Sequence, residues 1–369
     1  MIMTEVDFCG LTLRNPVLPA AGPPGWNGAA LQRCAEGGAG GLVTKTISVA
    51  GARVPAPNMA AVRGTFLNTE LWSEMPPDVW LERELPLARA AGLPLIVSLG
   101  YSAGDIAALV PKFAPWADAL ELSTHYIGDD PQPMVSAIRA AKGAADMPVL
   151  VKLSPFRDVQ RAAHAAQQAG ADGIVAINSF GPTMAIDVES GLPLMGGESG
   201  YGWMSGPAIR PLAVRCIFDI ARTVDLPVMG VGGVGSGIDA IELMMAGASA
   251  VQVCTAAILR GPSVLGKIAG EIDAWLDAHG YASPGEVRGL ALRRWQTRQV
   301  RSEHLPPRYQ RDKCIGCGRC AQSCVYGAIC MPDGLSDRPD KKAVLTESLC
   351  YGCGLCATRC PSGALTMQY

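Results

Sequence analysis

The sequence predicts an α/β fold of the (β/α)8 TIM barrel type, and two observations carry this prediction. Between Pro16 and Thr255, short apolar runs alternate with alanine-rich stretches of helical length, as expected where helices cover a parallel sheet. Eight such units in about 240 residues match one closed barrel. The runs lie at residues 16–22, 41–46, 94–100, 119–124, 149–154, 173–178, 227–233 and 250–255.

The ends of these runs predict where function lies. Most of them finish on polar or glycine residues, and in a barrel those ends converge on one mouth, where barrel enzymes place their active sites. Lys45 and Lys152 interrupt apolar strands at positions that face inward. A buried ammonium group without a partner is costly. We therefore expect anionic or electron-rich atoms of a cofactor beside both lysines.

The glycine run from Gly230 to Gly235 matches G-x-G-x-x-G, the fingerprint of dinucleotide-binding units. It lies on the seventh strand of a regular series, however, and no acidic residue follows about twenty positions later. The favoured interpretation is a phosphate site in the loops after strands seven and eight, completed by Cys254 and Thr255. Beside the iron-sulfur clusters that the C-terminal cysteines predict, as described next, a phosphate on a redox cofactor in a barrel indicates FMN.

The C-terminal part of the chain contains two cysteine runs with the spacing C-x2-C-x2-C-x3-C. This is the spacing of bacterial two-cluster ferredoxins, in which the fourth cysteine of each run ligates the other run's cluster. Zinc sites are the alternative, but zinc sites use two separated cysteine pairs rather than four cysteines in one short run. We predict two [4Fe-4S] clusters with these ligands: Cys314, Cys317, Cys320, Cys324, Cys350, Cys353, Cys356 and Cys360.

Two prolines, Pro306 and Pro307, interrupt the helical sequence that follows the eighth strand. We therefore predict an FMN-binding (β/α)8 barrel over residues 1–305 and a small two-cluster bacterial ferredoxin-like domain over residues 306–369. The hydrophobic content of 49% supports a sizeable core.

Composition also excludes several classes of function. A net charge of -2 without a long basic run argues against nucleic-acid binding. No apolar stretch reaches the roughly eighteen residues of a membrane span, and the N-terminus lacks the pattern of a secretory signal. Five cysteines remain outside the two runs, an odd number that fits a reducing compartment. We expect a cytoplasmic protein that binds neither nucleic acid nor membranes.

With these residues in place, the chain resembles the dihydroorotate dehydrogenase family, and more closely the C-terminal half of dihydropyrimidine dehydrogenase and its two-subunit bacterial form. The matching segments include LRNPVLPAAG, FLNTELWSE, VLVKLSPF, GADGIVAINS, ASAVQVCTA and the paired cysteine runs. The resemblance implies a substrate ring bound by Asn68, Glu70, Asn178 and Ser179. It also implies FMN bound by Ala21, Gly22, Lys45, Thr46, Lys152, Asn178, Gly206, Gly232, Gly233, Cys254 and Thr255.

The chain departs from the family at one motif. Where the family reads N-x-S-C-P, with its asparagine on the substrate and its cysteine as acid or base, this chain reads Glu121-Leu122-Ser123-Thr124-His125. A threonine hydroxyl is a far weaker acid than a thiol, so Thr124 acts through a water, or His125 or Tyr126 serves instead. Glu121 is predicted to face the substrate and to disfavour uracil and thymine. The alternative is a structural ion pair with Lys152 or Lys45.

Three functions therefore stay open at this point. The first is an FMN- and iron-sulfur-dependent oxidoreductase that acts on a ring C=C bond beside a carbonyl, like dihydropyrimidine dehydrogenase but with an altered cyclic substrate. The second is an electron-transfer subunit without an organic substrate, and the third is a dihydroorotate dehydrogenase. The expected electron partner is a ferredoxin or an NAD(P)H-oxidising flavoprotein subunit, and we expect a homo-oligomer.

Overall fold

The computed structural model describes residues 4–124, 130–155, 158–300, 302–332 and 341–367. The chain forms two compact units, Met1–Arg294 and Trp295–Tyr369. The domain boundary predicted between residues 305 and 306 falls within the second unit. Among the described residues, no helix combines the length and the apolar character needed to cross a membrane.

All eight predicted runs form strands of one parallel sheet, so the predicted barrel is confirmed. Their bounds are β1 Val17–Pro19, β2 Leu42–Val43, β3 Leu95–Leu99, β4 Ala119–Ser123, β5 Val149–Leu153, β6 Gly173–Ala176, β7 Val228–Val231 and β8 Ala248–Val253. The strands pair in the order β1-β8-β7-β6-β5-β4-β3-β2, and Gly40 N donates to Val17 O at 2.7 Å between the first two strands.

Helices cover the outside of the barrel and bury their apolar faces against the strands. Side chains of Asn27, Ser102, Asp158 and Ser236 cap four of them at the N-terminus. The helices are Gly28–Glu36, Pro77–Val79, Leu85–Arg89, Ala103–Phe113, Gln132–Ala144, Val159–Ala169, Arg210–Ala221, Gly237–Ala246, Thr255–Arg260, Val264–Ala278, Pro284–Val287 and Leu290–Gln296.

Two smaller sheets close the ends of the barrel. The hairpin of Val6–Phe8 and Leu11–Leu13 packs with residues at the starts of the barrel strands, which fills the amino end. A four-stranded antiparallel sheet comes from the loops after β2 and β6. Its strands, in spatial order, are Phe180–Thr183, Gly202–Ser205, Thr65–Asn68 and Met59–Val62.

The second unit repeats one arrangement twice, as its duplicated sequence predicts. In each half a 3-10 turn leads into a cysteine run, and a glycine with positive φ precedes a short helix. The helices are Arg319–Gln322 and Leu355–Arg359. Two small antiparallel pairs complete the unit: Arg308–Tyr309 with Leu365–Thr366, and Ile329–Cys330 with Val344–Leu345.

Candidate active site and cluster ligands

A cavity of about 570 Å³ lies at the carboxyl ends of the barrel strands, within the size range of small-molecule sites. All eleven residues that the family resemblance implies for FMN line this one cavity, and so do four of the five residues expected at the substrate. The lining residues among these are Ala21, Gly22, Lys45, Thr46, Asn68, Glu70, Lys152, Asn178, Ser179, Gly206, Gly232, Gly233, Cys254 and Thr255.

One wall of the cavity is formed by the backbone of glycine residues and therefore carries no side chains, and we call it bare backbone. Gly206, Gly232 and Gly233 have φ values of +79°, +128° and +76°, which side-chain-bearing residues rarely adopt. A Cβ atom on Gly233 would lie 2.6 Å from the Cβ atom of Arg210. The helix Gly237–Ala246 starts beside this wall, and its N-terminus carries partial positive charge. The wall therefore fits a phosphate group.

Lys45 is buried and is held by the protein's own carboxylates. Its Nζ lies 2.6 Å from Glu70 Oε2 and 2.9 Å from both oxygens of Glu74. The other oxygen of Glu70 accepts from Asn58 Nδ2 at 2.5 Å. These carboxylates already offset the buried positive charge of Lys45. From the sequence, only atoms of a cofactor were expected to do so.

Lys152 is held in a second buried network. Its Nζ lies 3.2 Å from Glu121 Oε1 and 3.3 Å from Gln252 Oε1, and Gln252 Nε2 donates to Glu121 Oε2 at 2.6 Å. Lys152 and Gln252 line the cavity, whereas Glu121 is fully buried and does not. The expectation that Glu121 faces the substrate is corrected: the structure has the alternative arrangement, an ion pair with Lys152.

The expected acid-base residues lie at the end of β4. Ser123 lines the cavity and is buried. Thr124 is half-buried and is not among the residues that line the cavity, so its catalytic role stays a prediction. His125 and Tyr126 lie outside the described residues, and their catalytic roles stay predictions.

The amides expected at the substrate are oriented by local hydrogen bonds. Asn68 Nδ2 donates to Trp203 O at 3.1 Å, and Asn68 Oδ1 accepts from Glu70 N at 3.2 Å. Asn178 Oδ1 accepts from Ser179 N at 2.9 Å. Fixed amides of this kind present both donors and acceptors to a ligand.

Sequence reasoning missed several lining residues, among them Tyr101, Trp203, Ser205, Gln252 and Arg260. The Gln252 amide interrupts an apolar strand in the same way as Lys152, so the same signal could have found it. Trp203 and Ser205 belong to the four-stranded antiparallel sheet, which no apolar run predicted. The Ser205 hydroxyl lies 2.8 Å from the Thr255 hydroxyl, which joins that sheet to the end of β8.

Cys254 is the one thiol among the described residues that line the cavity. Burial raises its pKa to about 11, and the nearby Lys152 offsets only part of this effect. At neutral pH the side chain is therefore a thiol, which acts as a small apolar surface rather than as a nucleophile.

In the second unit, a small cavity is lined by cysteines from both runs: Cys314, Cys317 and Cys320 of the first and Cys360 of the second. This crossing is the ligand pattern of two-cluster ferredoxins. No three His, Cys, Asp or Glu side chains among the described residues converge closely enough to hold a single metal ion. A [4Fe-4S] cluster does not need such convergence, because its four thiolates bind different irons.

The surroundings of these cysteines also fit a cluster. Ala364 N donates to Cys360 Sγ at 3.2 Å, a bond that favours the thiolate form of that cysteine. Gly352 N donates to Cys350 Sγ at 3.4 Å. The Tyr309 hydroxyl is buried at the same cavity without a nitrogen or oxygen partner among the described residues. Burial, and then the neighbouring Cys314 sulfur, raises the Tyr309 pKa.

Comparison with known proteins agrees with this geometry. The family model "Dihydroorotate dehydrogenase" matches residues 3–276, and the model "4Fe-4S dicluster domain" matches residues 313–364. The chain belongs to the dihydroorotate dehydrogenase family. Like that family, it is a flavoprotein oxidoreductase that acts on CH-CH groups, and it carries an iron-sulfur domain of the ferredoxin type.

Relatives within the family are catalytic subunits of dihydroorotate dehydrogenase B (NAD(+)). The protein of Methanothermobacter thermautotrophicus is 39% identical over 304 residues, which are 78% of this chain and 98% of the relative. The protein of Pyrococcus abyssi is 35% identical over 305 residues, 79% of this chain and 100% of the relative. These relatives correct the expectation of a closer relation to dihydropyrimidine dehydrogenase.

Proposed function

We propose that this chain is the catalytic subunit of a dihydroorotate dehydrogenase, which oxidises dihydroorotate to orotate with FMN and passes the electrons to two [4Fe-4S] clusters. The observation that carries the proposal is the single cavity at the barrel mouth, which collects every residue expected for FMN and four of those expected for the substrate. The names of the relatives support dihydroorotate as the substrate.

Each part of the cavity has a role in this proposal. The bare backbone at Gly206, Gly232 and Gly233 would hold the FMN phosphate, and Lys45 and Lys152 would hold the electron-rich flavin ring. The amides of Asn68 and Asn178 bind the polar edge of the pyrimidine, whose ring NH and carbonyl groups need both acceptors and donors. FMN, when bound, supplies the acceptor for a hydride from a ring carbon.

The same reaction needs a side chain that takes a proton from the neighbouring ring carbon. We assign this step to the end of β4, where the Ser123 hydroxyl lines the cavity and Thr124 follows it. A neutral hydroxyl is too weak a base to keep this proton, so the two hydroxyls would pass it through a linking water to solvent. The variants Thr124→Ala and Ser123→Ala separate the two contributions, because only the substitution of a residue on that path should slow ring oxidation.

The two clusters give the electrons a route to a partner. The match to the Pyrococcus abyssi relative covers the whole of that relative but 79% of this chain, so about a fifth of the chain is additional. We propose that the cysteine-rich unit passes single electrons to a ferredoxin or to an NAD(P)H-oxidising flavoprotein subunit. A homo-oligomer and a cytoplasmic location stay predictions.

One observation favours a second candidate, oxidation of a neutral dihydropyrimidine such as dihydrouracil. Lys45 is already paired with Glu70 and Glu74, so a ring carboxylate at that lysine would approach two like charges. With Glu121 withdrawn from the cavity, the reason to expect discrimination against uracil and thymine is gone.

Turnover with an artificial one-electron acceptor under anaerobic conditions distinguishes the candidates. We expect dihydroorotate to be oxidised with a higher kcat/KM than dihydrouracil or dihydrothymine. In the Asn68→Ala variant, which changes a residue expected only at the substrate, the rate should fall while FMN stays bound. A higher kcat/KM for dihydrouracil would favour the second candidate, and no turnover of any dihydropyrimidine by FMN-loaded protein would contradict both.

A further inference from the structure

The buried network of Glu121, Lys152 and Gln252 places the Glu121 carboxylate just behind the cavity wall, paired with Lys152. Glu121 is completely buried, and both of its oxygens are bound, one by Lys152 Nζ at 3.2 Å and the other by Gln252 Nε2 at 2.6 Å. Lys152 itself lines the cavity. The carboxylate therefore acts on the cavity through the lysine that it holds.

Charge at this depth has a large effect, because the interior screens electrostatic interactions much less than water does. A lysine beside the flavin stabilises the reduced flavin, which carries more negative charge than the oxidised form. A carboxylate bound to that lysine opposes this stabilisation. The family motif has an uncharged asparagine where this chain has Glu121, so the opposing charge is a departure of this sequence.

We propose that Glu121 lowers the reduction potential of the bound flavin by offsetting the charge of Lys152. Glu121 is thus a positioning residue: it touches neither the flavin nor the substrate, and it acts through Lys152. A lower flavin potential makes electron transfer from the reduced flavin to iron-sulfur clusters more favourable, because such clusters often have low potentials. The proposal rests on the proposed FMN site, and it is independent of the substrate.

The test exchanges the carboxylate of residue 121 and the amide of residue 252. Glu121→Gln removes the charge with little change in shape. The double variant Glu121→Gln with Gln252→Glu returns one carboxylate to the network, since the side chain of residue 252 also contacts Lys152 Nζ, at 3.3 Å. The flavin potential is measured by anaerobic redox titration of the full chain without any pyrimidine. The iron-sulfur signal in the same titration is an internal reference.

In Glu121→Gln, the equilibrium between oxidised and reduced flavin should shift towards reduced flavin by tenfold or more, which is about 30 mV for a two-electron couple. The double variant should return the potential to the wild-type value or below it, and the iron-sulfur signal should titrate unchanged in all three proteins. If Glu121 had only a structural role, Glu121→Gln would lower the free energy of unfolding but would leave the flavin potential unchanged.

Two results would overturn the proposal. One is a flavin potential that is the same in wild type and in FMN-loaded Glu121→Gln. The other is a Glu121→Gln protein that cannot retain FMN while the double variant retains it at a potential above that of wild type. Wild-type protein that contains no FMN would instead contradict the proposed function, so the two failures are distinguishable.

Discussion

Replacement of Lys152 by methionine tests the buried network most severely. Methionine keeps the length and apolar stem of the side chain but leaves the fully buried Glu121 carboxylate without its cation. Removal of one partner of a buried ion pair costs about 3–5 kcal/mol. The double variant Lys152→Met with Glu121→Gln removes both charges, and Gln252 can then pair with the new amide, so we expect most of this loss to be recovered.

The assay is urea unfolding of the FMN-free variants, so that altered FMN binding does not enter the comparison. Lys142→Met is the matched control, because Lys142 forms an ion pair with Asp172 at 2.9 Å and both side chains are about one third exposed. Pairs of that kind contribute about 0–1 kcal/mol. If Lys152→Met destabilises the barrel no more than Lys142→Met does, the argument for a buried, tightly coupled pair is wrong.

Three further predictions concern the phosphate wall, the clusters and a buried thiol. Gly233→Ala should lower the free energy of unfolding by at least about 2 kcal/mol and release FMN, whereas Gly270→Ala, whose added Cβ atom meets nothing within 4 Å, should do neither; equal FMN retention in the two variants would contradict the phosphate wall. Cys360→Ala should remove roughly half of the iron and with it the cluster of the first run, while Cys330→Ala, outside both runs, should leave the iron content unchanged. Burial raises the pKa of Cys34 to about 12, so the fraction of Cys34 thiolate, and with it the rate of alkylation, should increase up to that pH. Labelling at pH 8 should therefore reach the exposed Cys330 first. Rapid labelling of Cys34 in folded protein would be inconsistent with this prediction.

The barrel could be predicted because parallel strands buried on both faces read as continuous apolar runs, as Gly173–Ala176 does. The four-stranded antiparallel sheet could not be predicted in this way. Its strands are partly exposed, and Asn68 pairs with Trp203, which lies far along the chain. The residues that this sheet brings to the cavity, such as Ser205, were missed for the same reason.

The candidate site shows what strand parity can and cannot provide. Parity gave the inward direction of Lys152 and Glu121, and both point into the barrel. It did not give the depth of each side chain, which depends on how neighbouring strands are staggered. Lys152 and Gln252 therefore reach the cavity, whereas Glu121 stays beneath it. The cysteine positions were easier, because spacing alone defines a cluster-binding run.

The most direct test of the account is a single anaerobic mixing experiment. Oxidised protein that contains FMN and its clusters is mixed rapidly with dihydroorotate, and the flavin absorbance and the iron-sulfur signal are followed together. We predict that the flavin is reduced first and the iron-sulfur signal appears afterwards, with orotate formed in an amount that matches the electrons stored. Flavin that stays oxidised with dihydroorotate and with every neutral dihydropyrimidine tested would contradict the proposed function.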